Sequence, residues 1–113
     1  QWDKGKAFDT FGPIGPYIVT KDEIKNVQSL NLELKLNNKI MQIGNTKDMI
    51  FDVKYLVSYL SYFMTLNPGD IITTGTPPGV GMGRTPQIFL KNEDKMELKI
   101  DGLGQQNQKV IAQ

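Results

Sequence analysis

Lys6 is the first residue of this sequence whose surroundings could support chemistry. It ends the motif Trp-Asp-Lys-Gly-Lys at residues 2–6, and residues 7–16 after it are rich in glycine and proline. A lysine in such a loop is usually a solvated surface charge, because lysine is rarely buried unless it is paired. The crowded glycine and proline residues indicate instead a backbone held in one conformation. A surface charge and a functional lysine held in place by the loop therefore both stay open at this point.

Thr76 is the second candidate, in the motif Thr-Gly-Thr-Pro-Pro at residues 74–78. The simplest interpretation is a turn hydroxyl that bonds its own backbone. Glycines at alternate positions follow, and they could suggest a phosphate-binding loop. However, no Gly-Lys-Ser/Thr follows and no helix is predicted to begin there, which argues against nucleotide binding. A plain turn and a functional role for the Thr76 hydroxyl both stay open at this point.

Cysteine and histidine are both absent from the sequence. Their absence excludes disulfide scaffolds, thiolate nucleophiles, zinc fingers and histidine-based triads within this chain. Metal binding through oxygen ligands, lysine chemistry, and binding without catalysis remain. Asp3, Asp9 and Asp48 are predicted loop acids that could bind a divalent cation, although such aspartates usually cap turns or face water.

The composition is that of an ordinary folded domain. The 113 residues are 39% hydrophobic and 22% charged, with a net charge of +1. One core is expected, with no charge pattern for nucleic acid and no membrane span. The lack of cysteine fits a reducing compartment but does not establish the location. The expected location is the cytoplasm. Because the sequence begins with Gln1 and not with methionine, we expect it to start within a longer protein.

The clearest element is a hairpin. Leucines alternate with polar residues over residues 30–36, as in a strand with one wet face, and Asn37-Asn38 can turn the chain into residues 39–43. Asn45 and Thr46 then close a turn, with lining of a substrate pocket as the alternative. Apolar residues at helical spacing predict one amphipathic helix of about three turns from Val53 to Met64, capped by Asp52.

Further strands are predicted on either side of the glycine-rich loop. Residues 70–74 resemble a buried strand, and two more strands are expected at residues 87–90 and 96–100. A turn at residues 102–104 should return the chain through residues 108–112. Residues 1–16 are expected to form an ordered loop. The elements are mostly β with one helix and no βαβ rhythm, which argues against a Rossmann fold or an α/β barrel.

Four segments together resemble the fumarylacetoacetate hydrolase family: residues 4–16, 44–51, 63–79 and 101–104. Residues 2–6 and 75–83 are most similar to its branch of ureidoglycolate lyases and hydrolases of diketo-deoxy sugar acids such as 2,4-diketo-3-deoxy-L-fuconate. The resemblance implies a mainly β (α+β) fold, the mixed β-sandwich roll of the family's C-terminal domain with one amphipathic helix. It also implies that residues 1–113 are the C-terminal portion of a catalytic domain.

The resemblance assigns roles to several residues. Lys6 is expected beside the metal and the substrate oxygens, where it would stabilise an enolate or oxyanion. Thr76, with Gly75 and Thr74, would hold the substrate carboxylate through fixed hydroxyl and N–H donors. Thr10 is a weaker candidate for the lip of the metal site. The family's Glu-x-Glu and Asp ligands and its Glu-His pair are expected before residue 1, since no Glu-x-Glu occurs here.

The implied function is a hydrolase, dependent on Mg²⁺ or Mn²⁺, that cleaves a carbon–carbon bond in a 2-oxo or 1,3-diketo acid such as an acylpyruvate or a diketo-deoxy sugar acid. The alternatives are an isomerase, a decarboxylase, a ureidoglycolate lyase-type enzyme, or a non-catalytic β-rich fragment. The expected partners are a small 2-oxo acid and a second copy of the chain in a homodimer. Tyr55, Tyr59 and Tyr62 are expected in the core or at that interface. Residues 1–113 alone are expected to be inactive.

Overall fold

The computed structural model describes residues 1–112, and its strands form one antiparallel sheet. Four strands lie in the order β2-β1-β3-β4, so β1 pairs with β2 next to it in sequence and with the distant β3. Two α-helices and two short 3₁₀ turns complete the described elements. In chain order they are α1 (Trp2–Lys6), β1 (Asn31–Leu36), β2 (Lys39–Asn45), a 3₁₀ turn (Thr46–Asp48), α2 (Val53–Ser61), a 3₁₀ turn (Gly81–Gly83), β3 (Lys95–Ile100) and β4 (Gly104–Lys109).

The predicted β1–β2 hairpin is confirmed. Asn37 and Asn38 have φ angles of 49° and 65°, the positive values that a two-residue type I′ turn requires. The expected single wet face is less clear, because Glu33 and Lys35 are half-buried and form an ion pair at 3.1 Å. Since β1 lies inside the sheet, its polar side chains are partly covered by neighbours on both sides.

The β3–β4 hairpin is also confirmed, although β4 spans Gly104–Lys109 and residues 110–112 of the expected return form no strand. Side chains fasten the hairpin to β1. Asp101 accepts hydrogen bonds from the Asn31 backbone N–H at 3.1 Å and from the Asn31 side chain at 2.7 Å. At the other end, Asn37 donates to Asp94 at 2.8 Å and accepts from the Lys95 N–H at 2.9 Å. Both ends of the β1–β3 pairing are therefore held by side-chain amides and carboxylates.

Helix α2 begins as predicted and ends one turn early. The Asp52 carboxylate accepts from the Tyr55 N–H at 2.6 Å and caps the first turn. The helix ends at Ser61 and not near Met64, because the Phe63 N–H bonds the Leu60 carbonyl at 3.0 Å in a tighter turn. Its half-buried side chains are Val53, Leu56 and Leu60.

Three predicted elements are wrong. Residues 70–74 and 87–90 form no strand, and Ile71 is 66% exposed where a buried strand was expected. Within residues 1–112 no strand pairs with either segment, and an extended backbone without a partner makes no ladder. Residues 2–6 form helix α1 where an ordered loop was expected, and the Ala7 N–H continues its bonding to Asp3 at 2.9 Å. A single turn tolerates Gly5, whose cost is modest in so short a helix.

The chain is more open than a compact domain of its size. Its radius of gyration is 15.5 Å, against about 13 Å for a compact domain of about 100 residues. Among the described residues, Met41 is the only hydrophobic residue that counts as buried, at 8% exposure. Much apolar surface therefore remains exposed, although the mainly β (α+β) class is confirmed.

Candidate functional site

A β-bulge in β2 supports the glycine-rich loop at residues 75–84. Leu34 pairs with Gln42 and Lys35 pairs with Ile40, so Met41 is an extra residue without a partner in β1. Bulges of this kind redirect neighbouring side chains and free a backbone group from the ladder. Here the freed group is the Met41 carbonyl, and the redirected side chain is that of Gln42. Both contact the loop.

Arg84 fastens the end of the loop to this bulge. Its guanidinium donates to the Gly79 carbonyl at 3.0 Å and to the Met41 carbonyl. Gly79 has φ 108°, and a side chain there would collide with the Met41 carbonyl oxygen. The close approach of the two backbones therefore requires glycine at position 79. Arg84 is half-buried, so its two backbone contacts fix the loop against the strand.

Gln42 fastens the beginning of the loop. Its side-chain nitrogen donates to the Thr76 hydroxyl at 2.8 Å and to the Pro77 carbonyl at 2.7 Å. Pro77 also lies close to Gly44, where an added side chain would come within 2.7 Å of the proline ring. The loop is therefore anchored at both ends by side chains that reach from or to β2.

Thr76 is exposed at the outer side of this anchored loop, together with Thr74 and Gly75. Its hydroxyl accepts from Gln42, which differs from the plain turn in which it would bond its own backbone. Gly75 adopts φ 95°, so the backbone at this point has a conformation that other residues rarely take. Binding of a carboxylate by Thr74, Gly75 and Thr76 stays a prediction.

Lys6 ends helix α1 and is exposed. Thr10 follows in a turn with φ 71° and is also exposed. The rings of Phe8 and Phe11, two residues before it and one after it, pack with their centroids 5.4 Å apart. Among the described residues no hydrogen bond or ion pair joins Lys6 or Thr10 to Thr76. Their roles beside a substrate stay predictions.

An apolar cleft of about 570 Å³ lies between the segment that follows Lys6 and the segment that precedes Thr76. Residues 12–17 form one wall, Ile71 and Thr73 another, and Leu98 and Ile100 of β3 contribute from the sheet. Gln106 of β4 donates to the Gly15 carbonyl at 2.5 Å and fixes the first wall. The volume is in the usual range for a small-molecule site. Neither Lys6 nor Thr76 lines this cleft.

Asn45 and Thr46 have a structural role. Asn45 accepts from the Lys47 N–H at 2.9 Å, and the Thr46 hydroxyl donates to Val27 at 2.7 Å and accepts from Leu30 at 2.9 Å. These bonds use both side chains to close the turn after β2. The turn interpretation is therefore confirmed, and the pocket-lining alternative gains no support.

The acidic residues do not form a metal centre within the described part of the chain. Among residues 1–112, no three His, Cys, Asp or Glu side chains converge in a group that could hold a metal ion. Asp3, Asp9 and Asp48 are exposed. These residues alone therefore do not fit a divalent cation. Within the same residues, no helix is long and apolar enough to cross a bilayer.

Sequence reasoning missed both anchors of the loop. Arg84 is the only arginine in the sequence, and it directly follows the last glycine of the loop, which was an available signal. Gln42 lies in β2 between Met41 and Ile43, where nothing local distinguishes it from a solvent-facing polar residue. The bulge lies in the pairing of β2 with β1, and the contact between Gln42 and Thr76 joins residues that are 34 positions apart, so no local pattern reveals that contact.

Known proteins resemble this chain along nearly its whole described length. Residues 1–111 match the family described as fumarylacetoacetate (FAA) hydrolase C-terminal. A Burkholderia cenocepacia protein named "Putative hydrolase" is 59% identical over 109 residues, which cover 96% of this chain and 39% of that protein. The chain thus spans about two-fifths of the length of the curated relatives that it matches.

Solved structures share the fold. The fumarylacetoacetate hydrolase of Exiguobacterium antarcticum has a TM-score of 0.94 and 39% identity, over 97% of this chain and 39% of that one. The maleylpyruvate hydrolase of Sphingobium sp. SYK-6, solved in complex with manganese(II) and pyruvate, has a TM-score of 0.84 and 36% identity, over 92% of this chain and 37% of that one. Isomerases occur among the other similar structures. The predicted fold type is therefore confirmed.

Proposed function

The chain belongs to the fumarylacetoacetate hydrolase family, in its C-terminal region, and on this premise we propose that the whole protein is a divalent-metal-dependent hydrolase. Its substrates would be 2-oxo or 1,3-diketo acids, in which it cleaves a carbon–carbon bond. The observation that carries the proposal is the match of residues 1–111, which includes the anchored loop with Thr76. The maleylpyruvate hydrolase solved with manganese(II) and pyruvate supports both the substrate class and the metal class.

In this proposal Thr76 binds the substrate carboxylate. Its hydroxyl is exposed while its position is fixed by Gln42, so it can meet an anion with little reorganisation. The N–H groups of Gly75 and Thr74 are the further donors that we assign to this carboxylate. A loop anchored at residues 42 and 84 gives all three a common rigid support.

Lys6 supplies positive charge in the same proposal. Cleavage next to a carbonyl group leaves an enolate, and an ammonium group beside the enolate oxygen lowers the energy of the transition state that leads to it. Lys6 has no ion-pair partner among the described residues, so its charge is available to a ligand. Helix α1 and the glycine- and proline-rich walls of the cleft would set its position in the whole protein.

Mg²⁺ or Mn²⁺ is the proposed cation, and it would polarise the substrate carbonyl when bound. Residues 1–112 do not supply a complete ligand set. We propose that its carboxylate ligands belong to parts of the whole protein outside this chain, with Thr10 as a further candidate at the lip of the site. A polypeptide of residues 1–113 alone would then show neither turnover nor tight binding of Mn²⁺.

An isomerase is the second candidate function, because isomerases occur among the similar structures and would also use an enolate. A decarboxylase, or a ureidoglycolate lyase-type enzyme, is a finer alternative on the same fold. Within the hydrolases, the motif at residues 2–6 and the extended loop at residues 75–83 favour diketo-deoxy sugar acids such as 2,4-diketo-3-deoxy-L-fuconate.

A substrate panel tests the proposal. Full-length enzyme with Mn²⁺ or Mg²⁺ is incubated with an acylpyruvate, 2,4-diketo-3-deoxy-L-fuconate, oxaloacetate, 5-carboxymethyl-2-hydroxymuconate and ureidoglycolate, and products are followed by NMR. Cleavage of a diketo acid into pyruvate and a second carboxylic acid, with one water added across the broken carbon–carbon bond, supports the hydrolase. A rearranged product of unchanged mass supports the isomerase. Absence of turnover and of metal binding in the full-length protein would contradict the enzyme proposal.

A homodimer is the proposed assembly. The rings of Phe51, Tyr55, Tyr59 and Phe63 form a continuous row along α2, with neighbouring centroids at 4.9, 5.9 and 5.0 Å. Each of these side chains is about half exposed or more, and aromatic residues are enriched at interfaces. Light scattering of the full-length protein tests this, and a monomer at micromolar concentration would contradict it.

A further inference from the structure

We propose that Gln42 is a positioning residue that turns the Thr76 hydroxyl proton toward the ligand. The inference rests on the proposed function, because it concerns how Thr76 would bind a carboxylate. It follows from two hydrogen bonds made by one nitrogen, at 2.8 Å to the Thr76 hydroxyl oxygen and at 2.7 Å to the Pro77 carbonyl oxygen.

The Pro77 carbonyl fixes which way the Gln42 amide faces. The oxygen and nitrogen of a glutamine side chain look alike in shape, so the hydrogen-bond partners must decide between them. A carbonyl oxygen is an acceptor only, and therefore the atom that faces Pro77 must be the NH₂ nitrogen. The same nitrogen contacts Thr76, which makes the Thr76 oxygen an acceptor in this pair.

The Thr76 hydroxyl can then donate its hydrogen only to a group other than Gln42. A threonine hydroxyl has two acceptor lone pairs and a single donor hydrogen. Because Gln42 occupies a lone pair, the hydrogen cannot point at Gln42 and must be offered elsewhere. Thr76 is exposed, so this donor is available at the surface of the loop. A carboxylate is an acceptor-only group and is the complement of such a donor.

The bulge explains why Gln42 can do this. Met41 is the extra residue between the pairs Leu34–Gln42 and Lys35–Ile40, and its carbonyl is bonded by Arg84. Gln42 is half-buried in β2 directly after this residue. Its amide therefore comes from a strand whose geometry is held by Arg84, independently of Thr76. The position of the Gln42 amide is therefore fixed, and it is this amide that orients the Thr76 hydroxyl.

Gln42→Glu is the sharpest test, because it keeps the shape and replaces the donor with an acceptor. At neutral pH the introduced carboxylate would accept a hydrogen bond from the Thr76 hydroxyl, which could then no longer donate to the ligand. Binding of pyruvate to the full-length Mn²⁺-loaded enzyme, measured by calorimetry, should weaken about tenfold or more. Thr76→Ser keeps a hydroxyl, so a Gln42→Glu change in that background should weaken binding by a similar factor.

A double-mutant cycle separates donor direction from simple charge repulsion. If Gln42 acts through the hydroxyl, adding Gln42→Glu to Thr76→Val should change the dissociation constant by no more than about twofold. An equal loss in the presence and absence of the hydroxyl would overturn the inference, because the added charge or the lost hydrogen bond to the Pro77 carbonyl would then explain it. Gln42→Met serves in the same cycle if Gln42→Glu fails to fold.

Gln28→Leu is the matched control. Gln28 is also half-buried, donates to the Thr46 carbonyl at 2.9 Å and accepts from the Val53 N–H at 2.8 Å. Its loss should lower the melting temperature while leaving the dissociation constant for pyruvate unchanged. If Gln28→Leu weakens binding as much as Gln42→Glu does, general destabilisation explains both and the inference is wrong. A wild-type enzyme that turns over its substrate but gives an additive cycle contradicts this inference alone, whereas one that binds no 2-oxo acid contradicts the proposed function as well.

Discussion

The four-stranded sheet and the loop at residues 75–84 obtain their shape in different ways. In the sheet, backbone groups pair with backbone groups over three antiparallel ladders. In the loop, backbone carbonyls of Gly79 and Pro77 are bonded by the side chains of Arg84 and Gln42. The loop is therefore held by a few side-chain contacts, from Gln42 of β2 and from its own Arg84. Near its end the loop also bonds within itself, since the Gly83 and Arg84 N–H groups donate to the Val80 and Gly81 carbonyls. The N–H groups of residues 74–76, by contrast, make no backbone hydrogen bond among the described residues.

This comparison implies a division between stability and activity. Substitutions in the sheet should lower stability with little direct effect on chemistry. Substitutions on the exposed side of the loop and at Lys6 should lower activity with little effect on stability, because those side chains make few contacts within residues 1–112. Gly79 lies between the two classes, since it is part of the contact that joins loop and strand.

The largest effect is expected for Lys6→Met in the full-length enzyme. We expect kcat to fall on the order of 100-fold or more, because the ammonium group would act mainly on charge that develops in the transition state. The melting temperature should stay within about 1 °C, since Lys6 is exposed. Lys4→Met, in the same helix, is the control and should retain activity. Normal kcat in Lys6→Met would return Lys6 to the class of surface charges.

Gly79→Ala should have the next largest effect and should break the division. The added carbon meets the Met41 carbonyl, and φ 108° is unfavourable for alanine, so we expect a loss of about 2 kcal/mol in the free energy of unfolding. Gly69→Ala is the matched control, because Gly69 has φ 99° with no atom within 4 Å of the added carbon. Urea denaturation of both variants separates the collision from the backbone strain. Equal losses would show that the contact with Met41 is loose.

Thr76→Val should raise KM for a carboxylate substrate about tenfold and lower kcat less than that. The reason is that a donor to the carboxylate contributes in the ground state as well as in the transition state. Thr76→Ser should keep most of the wild-type KM, because it retains the hydroxyl that Gln42 contacts. Unchanged KM in Thr76→Val would remove this residue from the site.

The smallest effect concerns the sheet. The side-chain amide of Asn37 donates to Asp94 and holds the pKa of that carboxyl below its usual value. A lowered folded-state pKa means that the contribution to stability is present above the unfolded pKa, about 3.9, and is lost as pH falls through the folded one. Urea midpoints of wild type and Asp94→Asn should therefore differ at pH 6 and converge near pH 2. A constant difference would point to geometry and not to charge.

The sequence predicted the parts of the fold that are determined locally. Alternating leucines and the Asn37-Asn38 turn specify the first hairpin, and Asp52 specifies the start of α2, because each signal lies within a few residues of its effect. The segments at residues 70–74 and 87–90 have strand-like composition, but a strand also needs a partner, and composition carries no information on that. These two segments form no strand here because no strand among the described residues pairs with them.

The candidate site was predicted in part for the same reason. The motif at residues 74–78 identified the loop, and the resemblance gave it a role. Gln42 and Arg84 were missed because their contacts join residues that are 34 and 43 positions apart. The bulge at Met41 is a feature of the pairing between β1 and β2, and the contact with Arg84 forms across distant parts of the chain.

The contact between Arg84 and the Met41 carbonyl also has a consequence for the order of folding. The Arg84 contact spans 43 residues, whereas the β1–β2 hairpin closes over a two-residue turn, so the loop costs far more chain entropy to close. We expect the hairpin to form early and the loop to dock later, onto a bulge that is already present. Pulse-labelling hydrogen exchange would show protection in β2 before the N–H groups of residues 83, 84 and 88, and simultaneous protection would contradict this order. The segment that we assign to substrate binding would then be among the last to acquire its native geometry.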